Sequence, residues 1–334
     1  MKKLFFRLAV VAVGIVLISA AGNKYFEISK NLEVYSNVYK HLNTYYVDDL
    51  DPKDLVEASI DAMLEKLDPY NDYIPSEELE DFRFQNTGKY GGIGATIQKR
   101  EDFVTVVAPY KNSPADKAGL RAGDKFFSID GKSAKGLESD EVVSQLKGDP
   151  NTDVTVIIDR NGEQFETTIT RKIIKVPNVP YYGMQGNVAY IKLAGFTEGA
   201  GDEVRNALEE LKQNHQVEGI VLDLKGNGGG LLHEAIAVSN VFVPKGEIVV
   251  STKGKVKNTN REYKTPREAA DTTTPLAVLI DGGTASASEI VSGTIQDLDR
   301  GVIIGQTSFG KGLVQSTRPV AYNSQLKLTT SKYY

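Results

Sequence analysis

Gly219-Ile220-Val221-Leu222-Asp223-Leu224-Lys225-Gly226-Asn227-Gly228-Gly229-Gly230 decides the fold of this chain. An apolar run of strand length ends in a glycine-rich turn, and a helical pattern opens behind it at Leu231. The same grammar repeats outward on both sides. Val188-Ala189-Tyr190-Ile191 reads as a buried strand before it, with Val204, Leu208 and Leu211 as a helix between the two. Leu276 to Ile280 and Val302-Ile303-Ile304 follow as further apolar strands, separated by a helix near Ser286. Strand, helix, strand in this order predicts an α/β layer with a largely parallel central sheet over residues 175–334. The sequence stops at Leu326-Lys327-Leu328-Thr329-Thr330-Ser331-Lys332-Tyr333-Tyr334, inside a strand-like pattern, so the natural protein is expected to run further.

Two other styles of sequence precede this layer. Residues 25–86 read as helical: Val34, Val38, Leu42, Leu55, Ile60, Met63, Leu64 and Leu67 recur at helical spacings, running unbroken to about Lys66. Leu67-Asp68-Pro69-Tyr70-Asn71-Asp72-Tyr73-Ile74-Pro75 breaks the pattern, and Ser76 is expected to cap a short acidic helix. Residues 87–174 form a compact β-rich unit. Ser113-Pro114 supplies an N-cap and a first-turn proline, Gly119 stops that helix, and Ser139 starts a second through Val142, Val143 and Leu146. Val154 to Ile158 and Phe165 to Ile169 flank the hairpin turn Asn161-Gly162. Strands closing around two short helices describe a small interaction module.

Composition narrows the chemistry. The chain has 334 residues, a net charge of -5, no cysteine and 3 histidines. The length allows two or three domains. Zero cysteines exclude disulfides, thiolate zinc sites and a cysteine nucleophile together. No basic stripe interleaved with aromatics invites nucleic acid. No metal-binding constellation and no cofactor motif stands out. At the N-terminus, Lys2, Lys3 and Arg7 precede an apolar run from Leu8 to Ala21. That is the pattern of an export signal, with Ser19-Ala20-Ala21 as an acceptable cleavage site, and it is short against the roughly 20 residues of a membrane span. Residues 1–24 are therefore expected to be a signal peptide or a retained anchor. The protein would then be exported and periplasmic, with inner-membrane anchoring and homo-oligomer formation both left open.

The densest chemistry lies in Gly282-Gly283-Thr284-Ala285-Ser286-Ala287-Ser288-Glu289-Ile290 and in Phe309-Gly310-Lys311-Gly312. A serine hydroxyl needs a base, and a lysine serves only when its amine is neutral, well below its reference value of about 10.4. Burial would do this; Phe309 would exclude water, and Gln315 would hydrogen-bond the amine without charging it. On a strand, Lys311 and Gln315 would face one side of the sheet. Taken alone, Lys311 reads as a solvated loop lysine and Ser286 as a helix cap, while Ser288 competes for either task. Their combination favours a serine-lysine hydrolase. Glycines in the loop to Gly230 let main-chain amides point at a developing oxyanion, with the Ala287 amide as the natural second donor. Gly305 to Gly312 nearly spells a phosphate loop, but Gly312 stands where a hydroxyl should, and Leu313 to Pro319 read as a strand rather than a helix. His233 beside Glu234 is the only candidate base for a histidine triad, and it reads better as a helix-surface residue.

These residues resemble the carboxy-terminal processing, or tail-specific, proteases, serine-lysine peptidases of the S41 class. The resemblance runs from about residue 30 to 334. Gly-Thr-Ala-Ser286-Ala-Ser-Glu-Ile and Thr-Ser-Phe-Gly-Lys311-Gly-Leu-Val-Gln315 stand at the family's spacing. It implies Ser286 rather than Ser288 as nucleophile, Lys311 as general base, Gln315 as its orienting partner and Asp297 as a supporting acid. The glycine loop, with Gly229 and Gly230, matches the oxyanion-side motif, although Gly228 replaces the usual proline and Thr284 the commoner serine. Leu67 to Pro75 matches the segment before the family's PDZ domain, and the middle module resembles that domain. Tyr90-Gly91-Gly92-Ile93-Gly94 looks like its carboxylate-binding loop, so unfolded or apolar C-terminal tails are the implied partners.

The expected fold class is thus α+β multidomain: an N-terminal helical segment, a PDZ-like β-rich domain and an α/β protease core of the ClpP/crotonase-like kind. The expected activity is that of an ATP-independent serine endopeptidase. Two rivals stand beside it. One is a non-catalytic tail-binding protein. The other is a crotonase-like acyl-transfer enzyme, which the module and the Ser-Lys pair disfavour.

Overall fold

In the computed structural model, residues 2–334 are described, with side chains described from Lys24 onward. The expected export signal or anchor over residues 1–24 lies, but for Lys24, outside the described side chains. No helix among the described residues is long and apolar enough to cross a membrane. The chain divides into two compact units, residues 1–73 and 74–334.

The first unit holds α1 (Lys2–Tyr45) and α2 (Pro52–Leu64). The sequence pattern suggests one helical stretch, but Asp51-Pro52 interrupts it. A proline disfavours helix at the residue before it, and Asp51 instead caps α2 by accepting the Lys53 amide at 2.7 Å. Tyr39 donates to the Pro52 carbonyl at 3.0 Å and closes the pair.

The second unit begins around β1 (Asp72–Ile74) and α3 (Leu79–Thr87). Ser76 does not cap α3; it opens a 3-10 turn, Ser76–Glu78, and the N-cap position falls to Glu78. The β-rich module follows: β2 (Lys89–Gly92), β3 (Ala95–Arg100), β4 (Phe103–Pro109), α4 (Pro114–Lys117), β5 (Lys125–Ile129), β6 (Lys132–Ser133), α5 (Ser139–Leu146), β7 (Asp153–Arg160), β8 (Glu163–Thr170) and β9 (Lys172–Lys175). Ser113 caps α4 and Asn161-Gly162 turns the β7–β8 hairpin, both turn residues at positive φ, as the sequence indicates. The sheet runs β3-β4-β5-β7-β8, so β3 is an edge strand. Val104, Val106, Phe126, Ile129, Val154, Val156 and Ile158 pack into its core, and Val142 and Leu146 of α5 close over it.

The remainder is an α/β layer. It comprises β10 (Tyr181–Gln185), β11 (Val188–Lys192), α6 (Ala200–Asn214), β12 (Gly219–Asp223), α7 (Leu232–Phe242), β13 (Ile248–Gly254), β14 (Arg261–Lys264), β15 (Leu276–Ile280), α8 (Ala287–Asp297), β16 (Val302–Gly305), β17 (Leu313–Pro319) and β18 (Gln325–Tyr333). The central sheet has order β10-β11-β12-β15-β16, with every pair parallel except the first. α6 buries Val204, Ala207, Leu208 and Leu211 at helical spacing. α7 is buried from Glu234 to Phe242 except at Ala237, and packs against both α6 and α8. A second sheet pairs β13 with β14 and β18, and β17 with β18.

Asp271, in the connection to β15, ties this layer together. Its buried carboxylate accepts Lys212 of α6 at 2.5 Å, the Thr273 and Thr274 amides at 2.8 Å and the Thr274 hydroxyl at 2.6 Å. Arg300 reaches it from beyond α8. Burial alone would push this carboxyl up; the bonds from Lys212 and Thr274 outweigh it and hold the group well below the carboxylate range. A depressed folded-state pKa stabilises the fold above the unfolded value of about 3.9, and that stability is lost as pH falls from there through the folded-state value. Asp271→Asn is expected to cost about 2–4 kcal/mol at pH 7, with the gap to wild type closing as the pH is lowered below about 4, read by urea unfolding at both pH values.

Candidate active site

Three loops leave the carboxyl ends of three adjacent parallel strands, the place where open α/β sheets collect ligands. The glycine loop follows β12, the serine turn follows β15, and the lysine loop follows β16. Their closeness is a product of strand order rather than of sequence proximity.

Asn227 knots the first two loops together. It is 1% exposed. Its side chain donates to the Leu193 carbonyl at 2.8 Å and accepts the Gly229 amide at 2.9 Å. Its own carbonyl accepts the Ala285 amide at 3.0 Å and the Ser288 hydroxyl at 2.9 Å. Asp281 adds a second knot by accepting the Gly226 amide at 2.8 Å and the Gly283 amide at 2.9 Å. Chiefly for that Gly226 bond, its carboxyl lies below the usual range. Thr284, fully buried, donates to the Leu224 carbonyl at 2.9 Å.

This geometry separates the two serines. Ser288 is fully buried and spends its hydroxyl on Asn227. Ser286 stands at the N-cap of α8 with φ 55 and ψ -112, a conformation that costs a non-glycine residue on the order of 1–3 kcal/mol. Tyr333 lines the same cavity as Ser286. Burial pushes the Tyr333 hydroxyl up, the neighbouring Ser286 side chain pulls the other way and Tyr263 adds to the rise.

Ser286 and Lys311 line one cavity of about 380 Å³, together with Glu289, Asp297 and Tyr333. Val249, Val250 and Ile290 add apolar lining. Lys311 is half-buried. Two expectations from the sequence fail at this point. Phe309 is 57% exposed and does not seal the lysine from water, because the lysine loop runs over the surface. Lys311 is not on a strand with Gln315: β17 starts only at Leu313, and a bulge falls between Val314 and Gln315, so simple alternation does not relate the two. The Gln315 amide donates to the Thr329 hydroxyl at 3.1 Å. Asp297 is exposed at the last position of α8.

In the glycine loop, the Gly229 amide is already taken by Asn227. Ala287 holds the first helical position of α8, where an amide has no intrahelical acceptor. Gly229 contributes closeness instead. At φ 98, a Cβ there would sit 2.7 Å from the Ala285 carbonyl oxygen and 2.9 Å from the Ala287 nitrogen. A Cβ at Gly230 would likewise meet the Phe196 carbonyl oxygen at 2.5 Å. His233 is 68% exposed by its side chain, 3.6 Å from Glu234, and does not line the cavity. Among the described residues no cluster is arranged to hold a metal ion.

The other expected site is the Tyr90–Gly94 segment. It leaves β2 and runs into edge strand β3. Its carbonyls are tied down: Ile93 accepts the Ala115 amide at 2.8 Å, and Gly94 accepts the Tyr110 amide at 2.9 Å and the Ser113 hydroxyl at 2.8 Å. Gly91 lies so near Gly148 that a Cβ would meet its carbonyl oxygen at 2.1 Å. Tyr90 acts as a joint, edge-on to Phe84 at 5.5 Å and beneath Lys147. Burial, aided by Tyr110, pushes its hydroxyl up to about 12.

Sequence reasoning passes over Asn227, Glu289 and Tyr333. For Glu289 a signal is present: serine followed three positions later by glutamate is a capping box, and the structure has both of its bonds. Nothing local marks Asn227 or Tyr333, whose partners lie far along the chain. Gly229→Ala is expected to destabilise the protein by about 3 kcal/mol, measured by chemical denaturation, because its Cβ meets backbone and its φ disfavours a side chain.

The family model for Peptidase family S41 matches residues 187–334, and that for the PDZ domain matches residues 105–160. A carboxy-terminal-processing protease from Bartonella bacilliformis is 39% identical over 310 residues, covering 91% of this chain and 71% of the relative. A probable CtpA-like serine protease from Staphylococcus aureus is 38% identical over 309 residues; the match takes in 91% of this chain and 61% of that protein's length. A putative S41 protease from Bacteroides fragilis, 17% identical, shares the fold with a TM-score of 0.51 over 89% of this chain and 85% of its own. With its PDZ module and its α/β core, the chain belongs to peptidase family S41, among the carboxy-terminal-processing proteases.

Proposed function

We propose that this protein is an exported, ATP-independent serine endopeptidase that captures the C-terminal tails of unfolded proteins through its PDZ domain and cleaves them with Ser286 and Lys311. The observation that carries the proposal is the shared cavity. Ser286 and Lys311 line one space, and the competing hydroxyl of Ser288 is committed to the Asn227 carbonyl.

The chemistry runs in two halves. The Ser286 Oγ attacks the scissile carbonyl as the neutral Lys311 amine takes its proton. The tetrahedral oxyanion forms near the N-terminus of α8, where the Ala287 amide is the donor at hand and the helix dipole favours negative charge. Lys311 then hands the proton to the departing amine, leaving Ser286 acylated. A water deprotonated by Lys311 clears the acyl group. Gln315, steadied by its bond to Thr329, is assigned to orienting the lysine, and Asp297 bounds the cavity at the far end of α8. Val249, Val250 and Ile290 suit an apolar side chain beside the scissile bond. The absence of a nucleotide step from this reading is supported by β17, rather than the helix of a phosphate loop, following the Lys311 loop.

For recruitment, edge strand β3 offers its free side to an extended peptide. The loop before it, held by its carbonyls, is assigned the terminal carboxylate. Export, with or without retention at the inner membrane, rests on the basic and apolar residues of the N-terminus.

Ser286→Ala and Lys311→Ala are each expected to lower cleavage of an unfolded, apolar-tailed protein by at least about 10³-fold while the fold stays intact. Ser288→Ala is expected to cleave nearly as wild type but to lose about 1 kcal/mol of stability. Equal cleavage by wild type and both dyad variants would overturn the mechanism. Amidating the C-terminus of a tail peptide is expected to weaken its binding by about tenfold or more in calorimetry, whereas a tail bound through side chains alone would bind unchanged.

A further inference from the structure

We propose that Glu289 is the positioning residue of this site, clamping the Ser286 turn to the Lys311 loop and so setting the separation of nucleophile and base. This deepens the Ser286–Lys311 reading and rests on it. One carboxylate oxygen, Oε2, accepts the Ser286 amide at 2.6 Å and the Lys311 amide at 2.9 Å. The other, Oε1, accepts the Gly310 amide at 2.7 Å and the Ser308 hydroxyl at 2.8 Å. A carboxylate offers about four acceptor positions, and here each receives a donor.

A helix cap explains only the first of these bonds. In a capping box the N3 glutamate reaches back to the N-cap amide and its task ends there. Three of the four donors to Glu289 come instead from residues 308–311, a segment outside the helix. Close packing contributes little along that segment. Phe309 is exposed, and a Cβ built at Gly310 or Gly312 would touch nothing within 4 Å. Two further main-chain bonds reach the segment and its border: the Phe309 amide to the Thr284 carbonyl at 2.9 Å, and the Tyr333 amide to the Gly312 carbonyl at 3.0 Å. Three hydrogen bonds from the lysine loop converge on Glu289. A single oxygen atom thus joins the main chains of the nucleophile and the base. The bonds are charge-assisted, hence short and directional.

The test is Glu289→Gln in the full chain. The amide nitrogen of glutamine cannot accept, so two of the four donors lose their acceptor with little change of shape. Expected is a fall in kcat of about 100-fold with KM and tail-peptide affinity within about twofold, because misplacement acts on the chemical step rather than on capture. Ser308→Ala, a milder change that removes one of the four donors, is expected to lower kcat about fivefold. Amide hydrogen exchange over residues 306–313 reads the clamp independently of cleavage, and is expected to quicken at least about tenfold in Glu289→Gln. Unchanged exchange protection overturns the clamp, whatever the activity. So does a Glu289→Gln enzyme with wild-type kcat. If Ser286→Ala or Lys311→Ala still cleaves, the dyad falls, while the exchange result continues to decide whether Glu289 holds the two loops together.

Discussion

The whole site depends on main-chain hydrogen bonds that lace three loops at the carboxyl edge of a parallel sheet. Strand order β12-β15-β16 brings those loops alongside one another, but strand order alone leaves them as three flexible ends. Asn227 and Asp281 join the first to the second, and Glu289 joins the second to the third. Each uses one polar side chain to satisfy several amides or carbonyls that would otherwise be left unpaired at a partly buried turn, a state that costs about 1–3 kcal/mol per group. The polar residues beneath the cavity are therefore its scaffold, much as leucines and valines are the scaffold of the layer below.

Tight lacing permits strain. Ser286 occupies a backbone conformation that few residues with a Cβ adopt, at the first turn of a helix whose following residues are nearly all buried. The turn tolerates this because its neighbours over-determine it. Gly229 lies against it, the Glu289 carboxylate holds its amide, and Ser288 anchors the next turn to Asn227. The result is a hydroxyl presented at the mouth of the α8 dipole in a fixed direction.

Much of this is legible in the residues. The apolar runs and their glycine breaks foretell the parallel layer, because a strand buried on both faces has little choice of composition. The hairpin at Asn161-Gly162 and the cap at Ser113 are equally plain, since their chemistry is local. Register and reach are the parts that escape. The bulge between Val314 and Gln315 has no composition of its own, so strand alternation misjudges the facing of Lys311 and Gln315. The exposure of Phe309 depends on what lies above the loop, which its own sequence does not record. The choice between Ser286 and Ser288 stays open on residue chemistry alone, and a hydrogen bond to Asn227 separates them, 61 positions away in the chain.

The second sheet carries a consequence for how such a molecule comes into being. β18 closes onto β13, and the Ser251 and Tyr334 main chains exchange amide bonds of 2.8 Å across 83 residues. Val249, Val250, Tyr333 and Tyr334 stand on those two segments, and all four wall the Ser286 cavity. Contacts between such distant residues repay the entropy of loop closure only late in folding. During synthesis, the PDZ module and most of the α/β layer emerge before β18 exists to complete the wall. A growing chain therefore lacks part of this cavity's wall until β18 has emerged.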